Sequence, residues 1–94
     1  MKSFFIVSLC WRGFIGGGIS VGEEGLRYKT GKVTFSDSIR NIVMNYEDID
    51  SISDDKYLGF PVFKVTMKDG NSYSFLVFNR KKFRKLAEEK GLYR

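Results

Sequence analysis

Histidine is absent from this chain, and cysteine, proline and tryptophan occur once each, as Cys10, Pro61 and Trp11. Each shortage removes a class of chemistry. Without histidine the chain lacks the usual general base, the commonest zinc ligand and the side chain that titrates nearest neutral pH. A single thiol excludes an intramolecular disulfide and a multi-cysteine metal cluster. It also suits a reducing compartment, so a cytoplasmic location is expected, with association to a membrane surface as the alternative. Long apolar runs are missing too. Lys2 and the apolar residues after it start as a signal peptide would, but Leu9 before Cys10 is not the small residue a lipoprotein site needs, and Arg12 closes the run early. The run falls far short of the ~20 residues that span a bilayer. An ordinary first strand is expected there.

What the chain does have is apolar and aromatic. Its 94 residues are 43% hydrophobic, with nine Phe and five Tyr. That is enough for one domain over residues 1–94 with a core of its own, and too apolar for a disordered chain. The net charge of +5 is unevenly placed. Residues 47–79 are net acidic, with Glu47, Asp48, Asp50, Asp54, Asp55 and Asp69, whereas the last fifteen residues hold seven Lys or Arg against Glu88 and Glu89. Such a split attracts an anionic partner, or copies of the same chain head to tail.

The patterning is that of short strands closed by one helix. Phe4 to Phe14 reads as a first strand with apolar residues on both faces, and Gly13, Gly16, Gly17 and Gly18 as a break after it. Ile19 and Val21 face Leu26 and Tyr28 across a Gly22–Gly25 turn. Val33 and Phe35 form another short strand, then Ile42, Met44 and Tyr46 alternate. Ile49 and Ile52 anchor the next segment. Tyr57, Leu58, Gly59 and Phe60 read as a loop, and Pro61 opens a strand, where a sheet tolerates it.

In the last hairpin, Phe63, Val65 and Met67 share one face and Tyr73, Phe75 and Val77 share another. A two-residue Asp69-Gly70 turn would put these rows on opposite faces of the sheet. A three-residue Lys68-Asp69-Gly70 loop pairs Val65 with Tyr73 and Phe63 with Phe75, so both rows face the core. The helix after it has Asn79 as N-cap and Phe83, Leu86 and Ala87 as its apolar stripe. Gly91 sits at the left-handed C′ position, with Leu92 folding back toward Ala87 and Leu86 in a Schellman motif.

Three stretches together resemble the GRAM and bacterial PH-like domains. They are Ile19-Ser20-Val21 through Gly25-Leu26-Arg27-Tyr28, Tyr46 to Ile52, and Phe63 to Leu86. The resemblance covers most of residues 17–92 and implies a mainly β barrel of two near-orthogonal antiparallel sheets, capped by the one C-terminal helix. Lipid-binding relatives carry a basic cluster around the first hairpin. This chain has only Arg12, Arg27 and Lys29 in that region.

Candidate sites follow from chemistry set against local rule. Arg80, Lys81 and Lys82 crowd the first turn of the helix, where acids are favoured, and Glu88 and Glu89 lie near its last. With Arg84 and Lys85 these cations are the candidate site for an anion, a lipid or a partner; the alternative is a solvated face with a Lys85–Glu89 pair. Trp11, Phe14 and Ile15, with Tyr57 and Phe60, are the candidate apolar interface. Asp48 with Asp50, and Asp54 with Asp55, lack a third ligand at a fitting spacing, so no metal, cofactor or catalytic constellation is expected. Gly16–Gly18 lacks the residues of a phosphate loop. Phe83 sits on the buried stripe, so the basic helix offers no aromatic to a nucleic acid, and none is expected as a partner. The expected function is a non-catalytic PH-like module that binds a protein or assembles with itself, the alternative being an anionic membrane.

Overall fold

A computed structural model describes residues 3–10, 13–30 and 41–94. Among the described residues seven strands form one antiparallel sheet in the order β4-β3-β2-β1-β7-β6-β5, curled as a half-barrel. They are β1 (Ser3–Cys10), β2 (Phe14–Val21), β3 (Gly25–Lys29), β4 (Asn41–Asn45), β5 (Ile49–Tyr57), β6 (Phe60–Met67) and β7 (Ser72–Val77). A 3-10 turn, Tyr46–Asp48, links β4 to β5, and a helix α1 (Arg80–Glu89) follows β7. Val33 and Phe35 lie outside the described residues.

Strand β1 is the hinge of the arrangement. Its whole length pairs with β2, while Val7, Ser8 and Leu9 also pair with β7. Its alternation is strict: Phe5, Val7 and Leu9 are buried, and Phe4 and Ile6 are about 60% exposed. The strand therefore ends at Cys10, and Phe14 opens the next one.

The glycines do not break the chain. Gly16, Gly17 and Gly18 lie inside β2, opposite Ser8, Val7 and Ile6. A Cβ at Gly18 would collide with the ring of Phe4, and one at Gly17 with the backbone carbonyl of Lys29. At Gly17 glycine is thus required by close approach of backbone inside a strand, where periodicity alone reads it as punctuation.

The Ile19–Tyr28 and Val21–Leu26 pairs form as the pattern requires. So does the last hairpin: Phe63 faces Phe75 and Val65 faces Tyr73. Its loop closes with Gly70 at φ +97° and the Met67 amide donating to the Asn71 carbonyl at 2.7 Å. Ile49 and Ile52 are three apart yet both buried, because an extra residue between Ile49 and Ser51 shifts the register and returns Ile52 to the inner face. Tyr46 leaves the β4 alternation for the 3-10 turn, and its hydroxyl donates to the Gly22 carbonyl at 2.8 Å.

The helix closes one mouth of the half-barrel. Phe83 is fully buried, with its ring 5.2 Å from Phe5 and 5.1 Å from Phe63, and Ala87 is buried beside it. Burying one phenyl ring contributes on the order of 2–3 kcal/mol. The helix ends in a Schellman motif: Leu92 N–H donates to Ala87 O at 2.9 Å, Gly91 N–H to Glu88 O at 3.0 Å, and Gly91 has φ +72°. At the other end Asn79 is the N-cap residue, but its side chain makes no capping hydrogen bond. The chain then runs along β5. Ile52 N–H donates to Leu92 O and Arg94 N–H to Ile52 O, both at 2.8 Å.

Candidate functional site

The five helix cations separate into two groups. Arg80 and Arg84, one turn apart, both reach Asp54 on β5, with Nη2 to Oδ1 distances of 3.3 and 3.1 Å. Tyr93 donates its hydroxyl to the other Asp54 oxygen. The Tyr93 hydrogen bond, then the Arg84 guanidinium, hold the Asp54 carboxyl below the usual carboxylate value, and the same contacts raise Tyr93 and Arg84. Arg80 also lies 4.4 Å over the Phe63 ring, and its Nη1 is buried without a hydrogen-bond partner. These two arginines fasten the helix to the sheet. Lys81, Lys82 and Lys85 are exposed, and among the described residues none of them forms an ion pair, so the Lys85–Glu89 pair is not made. The Lys82 ammonium stands 5.9 Å from the Phe5 ring centre.

The apolar candidates converge in part. Phe14, at the start of β2, lies edge-on to Tyr57 at 5.5 Å and to Phe60 at 5.6 Å. The Gly13 amide donates to the Tyr57 hydroxyl at 2.9 Å. Ile15 does not belong to this group. It is 3% exposed, on the inner face opposite Leu9, and its carbonyl accepts the Tyr28 hydroxyl. Alternation along β2 sends Ile15 inward when Phe14 points out. Trp11 lies outside the described residues.

Tyr57 and Phe60 flank a two-residue hairpin turn where a loop was expected. Leu58 has φ +50° and Gly59 φ +83°, the two left-handed positions of a type I′ turn, which normally take Asn-Gly. Leu58 is the one described non-glycine residue with positive φ, and it is 70% exposed. The turn was hidden in the sequence because leucine stands where asparagine signals it.

Two further surfaces were not singled out from the sequence. Phe4, Ile6 and Phe78 are exposed side by side on the outside of the sheet, Phe78 donating its amide to the Ile6 carbonyl at 3.2 Å. At the β2–β3 turn, Glu23, Glu24, Asn45, Tyr46 and Glu47 line an open recess of about 380 Å³, with Lys90 4.8 Å from the Tyr46 ring centre. Among the described residues no three acidic or thiol side chains gather as metal ligands. Burial pushes the Cys10 thiol up, away from a reactive thiolate. No helix among the described residues is long and apolar enough to cross a membrane.

No protein-family model matches this chain, and no curated protein matches it. A solved structure does. The crystal structure of the C-terminal domain of an unknown protein from Leishmania infantum superposes with a TM-score of 0.75, covering 94% of this chain and 80% of that one. At 10% identity the likeness establishes a shared fold and nothing about chemistry.

Proposed function

We propose that this chain is a non-catalytic PH-like, GRAM-like binding module, a barrel of two near-orthogonal sheets sharing β1, which engages a protein partner or a second copy through the β5–β6 hairpin tip. The observation that carries the reading is Leu58. A leucine held in the left-handed region costs roughly 1–2 kcal/mol, and 70% of its surface faces water. Neither property helps folding. Phe60 and Phe14, 51% and 37% exposed, extend the apolar surface, and Tyr57 adds an aromatic with a polar tip. Rings locked edge-to-face are preorganised for a partner.

The test is Leu58→Asn, which satisfies the turn and removes the apolar knob. Light scattering across a concentration series reads self-association, and crosslinking from position 58 reads a foreign partner. Loss of the association in the variant supports the reading. An unchanged assembly or crosslink pattern refutes it.

A second reading, peripheral binding to anionic membranes, is favoured by the three lysines without ion pairs, Lys81, Lys82 and Lys85. Each would supply about 1 kcal/mol near an acidic surface. Sedimentation with vesicles of increasing acidic-lipid content tests it, and binding indifferent to lipid charge and salt rules it out.

A further inference from the structure

Alternation assigns the outward positions on one side of the molecule. Phe4 and Ile6 point out from β1, Gly16, Gly18 and Ser20 from β2, and Arg27 and Lys29 from β3, while Phe78 follows buried Val77 with the opposite facing. The register lays them in rows: Arg27 is opposite Ser20, which is opposite Phe4, and Lys29 is opposite Gly18, which is opposite Ile6. Strands β1, β2, β3, β4 and β7 contain no Asp or Glu at all.

The pose of Phe4 matters most. A Cβ on Gly18 would collide with the far end of its ring, so the side chain reaches over β2 to the glycine. It is nevertheless 64% exposed, and Phe78 is 68% exposed. Standard strand spacings put the Cα atoms of Phe4 and Phe78 on the order of 8 Å apart. Two exposed phenyl rings on the outer surface of the sheet, with Arg27 and Lys29 along one side, have the makings of a stacking platform.

From this we infer that the outer face of β1 and its neighbours binds single-stranded nucleic acid, with Phe4 and Phe78 stacking bases and Arg27 and Lys29 holding phosphates. Charge complementarity and the acid-free face select a polyanion. A bilayer rich in acidic lipid is the other polyanion such a face would attract, and the vesicle arm of the test separates the two. Self-association through this face would oppose like charges. The basic helix alone does not supply such a platform, because its aromatic, Phe83, is buried; the sheet supplies the rings instead. The inference does not rest on the hairpin tip.

Fluorescence anisotropy with a labelled oligouridine of about twelve nucleotides is the test, against a duplex of equal length and phosphatidylserine vesicles. Expected results are preference for the single strand and an affinity that falls with salt. The Phe4→Leu, Phe78→Leu double variant, apolar but without ring faces, should bind at least about 5-fold more weakly. Tyrosine at both positions should restore binding. Circular dichroism checks that each variant is folded. Equal affinity for duplex and single strand, indifference to the leucine exchange, or vesicle binding without oligonucleotide binding would each overturn the inference.

Discussion

Arg84 and Asp54 tie the last helix to the sheet, the guanidinium donating to the carboxylate at 3.1 Å. Asp54 is shared with Arg80 and Tyr93, so three side chains from the C-terminal segment meet on one acid of β5. The acid is half exposed, so water screens these ties and their contribution to stability is small.

The pH dependence of that contribution has a definite sign. Asp54 is held below its ordinary value in the folded chain, chiefly by Tyr93 and then by Arg84. The stabilisation is therefore complete above the unfolded carboxyl pKa of about 3.9 and is lost as pH falls through the lower folded value. Wild type should exceed Asp54→Asn in stability at neutral pH, and the gap should close between about pH 5 and pH 2. Urea unfolding across that range reads it; a gap constant to pH 2 contradicts the assignment.

The two glycines of β2 should respond unequally to alanine. At Gly17 the added Cβ meets the Lys29 carbonyl, which is fixed in the sheet ladder. At Gly18 it meets the Phe4 ring, which is exposed and free to rotate away. Gly17→Ala should cost on the order of 2–3 kcal/mol and Gly18→Ala under about 1 kcal/mol. Thermal melts of the two variants measure the difference, and equal costs would argue against the strand assignment.

Helix ends offer a matched contrast. Gly91→Ala forces a Cβ into a left-handed residue and should cost about 1 kcal/mol. Asn79→Ala removes a cap side chain that makes no capping bond, so the usual penalty of about 1 kcal/mol should be nearly absent. Denaturant midpoints decide this, and a full capping loss at Asn79 would show that the side chain caps in solution.

Leu58→Asn should stabilise the isolated chain by about 0.5–1 kcal/mol, since asparagine tolerates the left-handed region and leucine does not. A rise in the denaturant midpoint is expected, and a fall would mean that Leu58 contributes folding contacts.

The fold was legible wherever one local rule acted alone. The β6–β7 register followed from two apolar rows that had to share a face, and the Schellman ending followed from Gly91 and Leu92. Reading failed where residue types served a second purpose. Gly16–Gly18 are the usual signs of a break, but here they lie inside a strand, and at Gly17 the Lys29 carbonyl leaves no room for a Cβ. Leu58 conceals a hairpin turn. Asp54 lies 26 positions before Arg80, so no local spacing could join them. The β1 outer face was half legible: the apolar positions on both sides of the strand were readable, but the partners flanking Phe4 come from the topology.

The tail pairing at Ile52 bears on how the molecule behaves when cut. Leu92 and Arg94 occupy the free hydrogen-bonding groups of Ile52 on the outermost strand. Proteolytic trimming of three residues would uncover that backbone beside Ser51 and Ser53, giving an unpaired template to which further extended chains could add. The shortened protein would be expected to precipitate on storage while the intact one stays clear.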